Sequence, residues 1–298
     1  VLPYRTYAEV NLQQLKENTR KVRALLSKDT KLLAVLKADG YGHGSVPVAK
    51  TIEPYVFGYA VATIDEGIIL RRHGINKTIL ILGVTHESRY EDLLRYDIRT
   101  AMFQYEKAKK LSDLALKQGK KAVVHLALDT GMSRIGMKAD REHAKEAAAI
   151  AALEGIEVEG LFTHFARADE TDKSAYEEQY RRYKEFLGYL KELGVKIPIR
   201  HCSNSAGIVE SLESNHMDMV RAGIAIYGMY PSDEVDHNSV KLTPAMEIKS
   251  CITYIKEIEA GTAVSYGGTF VADHTMKVAT IPVGYGDGYV RSLSGKGD

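Results

Sequence analysis

Eight short β-rich runs, each separated from the next by a longer amphipathic run, constrain this chain more than any other feature. They lie at residues 31–38, 56–62, 78–82, 98–102, 122–128, 157–162, 197–201 and 217–220. The intervening stretches at 105–117, 141–153 and 174–193 carry helical patterns. In the last of these, Tyr176, Tyr180, Tyr183, Phe186, Leu187 and Leu190 recur at helical spacing. Eight strand–helix units between residues 31 and 220 predict an α/β fold, a (β/α)8 TIM-like barrel. A doubly wound open sheet is the main competitor, but it usually has fewer units and a switch point in its strand order.

The rhythm changes at the polar stretch 233–238, which reads as a linker. Beyond it, 245–258 and 277–283 alternate in the manner of strands, punctuated by Gly261, Gly267, Gly268 and Gly284. The expected organisation is a barrel over residues 1–237 and a smaller all-β domain over 238–298. Residues 4–10 also alternate and are a candidate strand of the second domain's sheet. Residues 292–298 read as a turn, and few β segments precede them, so the second domain reads as truncated.

Composition narrows the class of function. With 40 Lys and Arg against 39 Asp and Glu the net charge is +1, which argues against bulk nucleic-acid binding, a property of cationic surfaces. Hydrophobic residues at 45% and charged residues at 27% describe a folded globular chain and not a disordered one. Two cysteines, Cys202 and Cys251, exclude a disulfide scaffold and a cysteine-rich zinc site. No apolar run approaches the ~18 residues of a membrane span, and residues 1–6 lack the apolar region of a signal peptide. A cytoplasmic enzyme or binding protein is expected, with a small-molecule ligand and neither nucleic acid nor membrane as partner.

Barrel enzymes place their chemistry at the C-terminal ends of the strands. The first run ends with Lys37, followed by Asp39-Gly40-Tyr41-Gly42-His43-Gly44. A lysine inside a barrel strand is expensive to bury. It either snorkels out of the barrel mouth or, with its pKa lowered from ~10.4, serves as a nucleophile or base. The three alternating glycines let the backbone approach a ligand closely. After the fifth run stands Arg134, flanked by Gly131 and Gly136 and suited to an anionic oxygen or to an ordinary surface ion pair. After the sixth comes Thr163-His164, with His164 either facing the mouth or satisfied in the core. After the seventh come Asn204 and Ser205, and after the eighth Arg221, Gly223 and Ile224.

The loops after strands seven and eight are the usual phosphate site of a barrel. Ser205 brings a hydroxyl, Gly223 and Ile224 bring backbone N–H groups, and Arg221 brings a permanent positive charge. Metal catalysis and serine hydrolysis are disfavoured, since the sequence has no His-Glu-x-x-His, zinc spacing or Gly-x-Ser-x-Gly. A lysine on a barrel strand, a phosphate cup and an arginine between them point to pyridoxal phosphate. In the β region, 264–268 and 284–289 read as hairpin turns with packing tyrosines.

These residues resemble the alanine racemase family, pyridoxal-phosphate enzymes built of a barrel and a C-terminal β domain. The segment Ala34-Val35-Leu36-Lys37-Ala38-Asp39-Gly40-Tyr41-Gly42-His43-Gly44 is similar to the family's cofactor-lysine signature. Further matches are Asp129-Thr130-Gly131-Met132-Ser133-Arg134-Ile135-Gly136, Asn204-Ser205, Arg221-Ala222-Gly223-Ile224 and Val264-Ser265-Tyr266-Gly267. The resemblance implies two-base racemisation of L- and D-alanine, supplying D-alanine for peptidoglycan, by a head-to-tail homodimer. It implies that Lys37 holds the cofactor and that Tyr41, Ser205, Gly223 and Ile224 bind its phosphate, with Asn204 in the same cluster. Arg221 would face the pyridine nitrogen, and Arg134 the phenolic oxygen and the substrate. His164 would lie between Arg221 and the second base, Tyr266, contributed across the dimer interface.

Two departures accompany the likeness. Ala127 stands where many relatives carry a modified lysine that steadies the arginine, so Arg134 must find another support or be more mobile. Relatives also continue through further strands carrying substrate-side residues, so residues 1–298 alone are expected to be inactive or severely impaired. The alternatives are a serine or broader amino-acid racemase of the same family, a pyridoxal-phosphate decarboxylase, and a non-catalytic binder of the cofactor. Arg221 at the ring nitrogen argues against a decarboxylase, which usually pairs an acidic residue there.

Overall fold

The computed structural model describes residues 5–296 and divides into two compact units, Asn11–Ala245 and a smaller one that joins residues 5–10 to residues 246–296. The chain opens in the smaller unit with β1 (Thr6–Val10) and enters the larger through the helix Leu12–Ala24. The larger unit then runs through β2 (Lys31–Val35), β3 (Gly58–Val61), β4 (Thr78–Ile81), β5 (Arg99–Met102) and β6 (Ala122–Asp129). It continues through β7 (Met137–Lys138), β8 (Ile156–Phe162), β9 (Ile199–His201) and β10 (Met219–Ala222). Strands β10, β2, β3, β4, β5, β6, β8 and β9 pair in that order, all parallel. Arg221 N–H of β10 donates to the Ser203 carbonyl just past β9 at 2.9 Å, which brings the two ends of the sheet together. The eight expected runs are thus the eight strands of a nearly closed TIM-like barrel. The two-residue β7, which pairs with the end of β6, was not legible as a run.

The strands read as near-continuous apolar runs because a parallel barrel is covered on both faces. All four residues of β3 and of β10 are buried. Leu33, Val35, Ala60, Leu80, Ile199 and Met219 fill one part of the interior, and Ala101, Ala127 and Phe162 another. The helices Tyr105–Lys117, Arg141–Ala151 and Ser174–Glu192 lie where their periodicity placed them. In the last, Tyr176, Tyr180, Tyr183, Phe186 and Leu190 are buried, and the Tyr183 hydroxyl donates to the Leu161 carbonyl at 2.7 Å.

Two expectations need correction. Lys37 is not inside a strand: β2 stops at Val35, and Lys37 opens a tight turn. The stretch 233–238 is also no free linker. Val235 and Val240 are buried with Val209, and the Tyr230 ring stacks on His237 at 3.9 Å, so this segment packs on the larger unit, which continues to Ala245.

In the smaller unit, β1 pairs antiparallel with β11 (Met246–Ser250), Thr6 opposite Ser250 and Val10 opposite Met246. Of the run expected at 4–10, Tyr4 lies outside the described residues, as do residues 297 and 298 of the expected final turn. Strands β12 (Tyr254–Ile258) and β15 (Met276–Thr280) pair antiparallel, as do β13 (Ala263–Val264) and β14 (Phe270–Val271). Among the described residues, no helix is long and apolar enough to cross a membrane.

Candidate active site

Immediately after β2 the backbone does something rare for L-residues. Ala38, Asp39 and Gly40 adopt φ of 52°, 51° and 63°, and Tyr41 follows at 52°, a left-handed turn of four residues. Each non-glycine residue there costs about 1–2 kcal/mol. Hydrogen bonds oppose that cost. A Glu66 carboxylate oxygen accepts the Ala38 N–H at 2.7 Å, the Asp39 carboxylate accepts the Ser45 N–H at 2.7 Å, and Gly40 N–H reaches the Leu36 carbonyl at 2.8 Å. The turn sends Lys37 and Tyr41 to one cavity, with Lys37 Nζ 5.8 Å from the Tyr41 ring centroid.

That cavity, of about 500 Å³, is lined by Lys37, Tyr41, Arg134, His164, Asn204, Ser205, Arg221, Gly223 and Ile224. Nine of the ten residues singled out in the sequence therefore share one space in the larger unit. The tenth, Tyr266, belongs to the smaller unit. It opens a short turn after Ser265, which has φ 64°, and its side chain is 87% exposed.

One wall of the cavity is shaped for an anion. Ser205 Oγ accepts the Gly223 N–H at 2.9 Å and lies 3.4 Å from Ala225 N. Asn204 caps the helix Ser205–Val209 by accepting the Gly207 N–H at 3.1 Å, which fixes where Ser205 begins. A methyl group placed on Gly223 would stand 3.1 Å from Tyr41 Oη and 3.8 Å from Ser205 Oγ. Three chain segments thus close around a space that even a small side chain would start to fill. The opening N–H groups of the helix at Ser205 and of the turn Ile224–Tyr227 have no intrahelical acceptor and suit anionic oxygens. Three cations, Lys37, Arg134 and Arg221, line the cavity against one carboxylate among the described residues, Asp169. A phosphorylated ligand fits this donor set.

Arg221 is 2% exposed, yet no carboxylate pairs with it among the described residues. Its Nη2 donates to the carbonyls of Thr163 at 2.7 Å and Cys202 at 3.0 Å, and lies 3.2 Å from His164 Nδ1. Its Nη1 donates to His201 Nδ1 at 2.9 Å and to the His201 carbonyl at 3.1 Å. Nε–H has no partner among the described residues, and it is not an enclosed atom, so it is left facing the cavity that Arg221 lines. Burial brings the guanidinium down to about 10, still charged at neutral pH. His164 is pushed down to about 3 by burial and by the charges of Arg221, Arg134 and Lys37, so it is neutral. Burial also raises the Tyr41 hydroxyl above its ordinary value.

Arg134 is exposed and makes no hydrogen bond among the described residues, while Ala127 packs its methyl group against Ala101 and Phe162. No support for Arg134 comes from that position. Sequence reasoning missed Glu66, whose carboxylate pins the turn at Lys37, and also His125, Glu159 and His201, which lie behind Arg221. A histidine in the apolar run 122–128 was the available signal, since a buried imidazole needs partners.

The alanine racemase N-terminal domain family matches residues 10–231, and the alanine racemase C-terminal domain family matches residues 245–298. The alanine racemase of Desulforamulus reducens is 43% identical over 98% of this chain and 79% of its own length. That of Clostridium perfringens is 42% identical over 97% of this chain and 75% of its own. The solved alanine racemase of Clostridium difficile superposes with a TM-score of 0.93 at 43% identity, covering 98% of this chain and 76% of the other. The chain belongs to the alanine racemase family.

Proposed function

We propose that this protein is a pyridoxal-phosphate-dependent alanine racemase, acting in the cytoplasm as a head-to-tail homodimer on a small amino-acid substrate. One observation carries the reading: an amine, an anion cup and a guanidinium with one donor to spare line a single cavity. Lys37 holds the cofactor. Tyr41, Ser205, Gly223 and Ile224 take its phosphate, with Asn204 setting the position of Ser205. Arg221 offers Nε–H to the ring nitrogen. Arg134, on the rim, serves the phenolic oxygen and the substrate.

When bound, pyridoxal phosphate supplies an electron-withdrawing ring that makes the α-C–H of the amino acid acidic. Racemisation then needs two groups on opposite faces, one to take the α-proton and one to return a proton. Lys37 Nζ serves one face and the Oη of Tyr266 of the partner subunit serves the other. Because Arg221 keeps its proton at neutral pH, it would donate a hydrogen bond to the ring nitrogen of a bound cofactor without protonating it. A ring nitrogen held in that way would draw less negative charge from the α-carbon, which would favour return of the proton there.

The test is chiral analysis of L-alanine incubated with the purified protein and pyridoxal phosphate. Slow accumulation of D-alanine above a Lys37→Ala control is expected of residues 1–298. Background levels in both, with no pyridoxal phosphate bound, would overturn the reading. The same assay with L-serine separates an alanine racemase from a serine racemase.

A further inference from the structure

Behind Arg221 a row of polar side chains crosses the barrel interior, and neither the cavity nor any helix cap accounts for it. Arg221 of β10 bonds His201 of β9, Nη1 to Nδ1, at 2.9 Å. His201 Nε2 lies 2.8 Å from Nδ1 of His125 on β6. His125 Nε2 lies 3.0 Å from Oε2 of Glu159 on β8, and that oxygen meets Nε of Arg99 on β5 at 3.4 Å. His201 is fully buried and His125 is 1% exposed. The row runs from the cavity wall to Arg99, whose other partner is the solvent-exposed Asp97.

Only one order of protons satisfies it. A guanidinium can only donate and an ionised carboxylate can only accept. His201 Nδ1 must therefore accept from Arg221, so its Nε2–H donates to His125 Nδ1, and the His125 Nε2–H donates to Glu159. Both imidazoles must be neutral. Burial pushes both below their ordinary value, His201 with the added effect of the Arg221 charge. Burial pushes Glu159 upward, but the hydrogen bond from His125 and the Arg99 charge win, and its carboxyl sits below the usual range.

Two backbone features make room for the row. A Cβ on Gly160 would stand 2.4 Å from His125 Nδ1, so only glycine leaves space for that ring. The pairing of β6 with β8 also shifts at this point. Val124 faces Val158 but His125 faces Gly160, so Glu159 is the extra residue of a bulge. Bulges of this kind re-aim a side chain beside functional sites. Stability alone is a weak reason for such a row, because buried ionic groups are often replaced by apolar ones at no cost.

We propose that His201, His125 and Glu159 are positioning residues for the racemisation site. They form a proton-ordered row that holds Arg221 from behind and sets how strongly its cavity-facing Nε–H is offered to the ring nitrogen of the cofactor. This rests on the racemase reading above. The negative charge of Glu159 strengthens each acceptor along the row, a cooperative effect in a low-dielectric interior. Removing it leaves more positive charge on the Arg221 Nε–H.

The test is ¹⁵N NMR of the histidine rings and of Arg221 Nε in the purified protein, before and after pyridoxal phosphate is added, together with racemisation kinetics. His125 and His201 are expected as neutral Nε2–H tautomers. Glu159→Gln keeps a hydrogen-bond acceptor but loses the charge. It is expected to move the ring signals of His201 and the Arg221 Nε signal even without cofactor. It should also lower kcat about tenfold with KM changed less than twofold, and Glu159→Asp should recover part of the loss. An Nδ1–H tautomer or an imidazolium at either histidine would overturn the proposal. So would a folded Glu159→Gln protein whose His201 and Arg221 signals match the wild type. Because those signals need no turnover, a wild type that neither binds pyridoxal phosphate nor racemises alanine would count against the racemase reading alone.

Discussion

Arg221 Nη2 lies 3.2 Å from His164 Nδ1. The guanidinium can only donate, so this ring nitrogen accepts, and His164 carries its proton on Nε2. A histidine that would present a hydrogen-bond donor to a tyrosine hydroxyl is thus fixed in its tautomer from the opposite side. Arg221 makes the same demand of His201, so a single buried cation sets the state of two imidazoles.

This pairing makes stability depend on pH in a defined direction. His164 falls from an ordinary value of 6.5 to about 3 in the folded protein. Between those values the unfolded chain binds a proton that the folded protein refuses, so stability is highest above 6.5 and is lost as pH falls below it. Going from pH 7 to pH 5, His164 alone accounts for about 2 kcal/mol. His125 and His201 are shifted in the same direction and add to the loss. Urea unfolding at the two pH values checks this, and a His164→Gln variant should show a difference smaller by about 2 kcal/mol.

Gly160 carries a second prediction. The space its missing side chain leaves is taken by the His125 ring. A methyl group at this position would stand 2.4 Å from the nearest ring atom and 2.8 Å from the Ile199 carbonyl oxygen. Gly160→Ala is expected to cost about 1–3 kcal/mol through overpacking. Denaturant midpoints measure it, and a variant as stable as the wild type would mean that the ring has room to move.

Much of this arrangement was legible in the sequence, for identifiable reasons. A parallel barrel buries both faces of each strand, so β3, β4 and β10 stand out as short apolar runs. Strand-end residues then fall at one mouth, which placed Lys37, His164, Ser205 and Arg221 together. What was not legible depends on contacts through space. The left-handed turn at Ala38–Tyr41 violates local preference and survives on the hydrogen bonds that Ala38 N–H donates to Glu66 and that Asp39 accepts from Ser45 N–H. Val235 and Val240 sit in a polar stretch, and only their packing on Val209 reveals that it is no linker. Glu159 enters the interior through a bulge, and alternation along a strand gives no sign of it.

Ser205→Ala tests the anion cup. The hydroxyl organises the Gly223 and Ala225 N–H groups and contributes a donor of its own. Its loss is expected to weaken retention of pyridoxal phosphate about tenfold, the effect of one buried hydrogen bond of about 1.4 kcal/mol. Equilibrium dialysis with the free cofactor reads this directly.

Tyr266→Phe removes one of the two proposed proton-transfer groups and nothing from the cavity of the larger unit. Cofactor retention should stay within about twofold of the wild type, while exchange of the α-proton should fall by about 10²–10⁴-fold. Proton NMR of alanine in heavy water follows the exchange. Weaker cofactor binding with unchanged exchange would assign Tyr266 a different role.

Whether the barrel cavity holds pyridoxal phosphate on Lys37 is measured most directly by peptide mapping after borohydride reduction of the cofactor-loaded protein. One cofactor-derived mass increment per chain is expected, on the peptide containing Lys37, and none in a Lys37→Ala variant. An increment on another lysine, or its persistence in that variant, would contradict it.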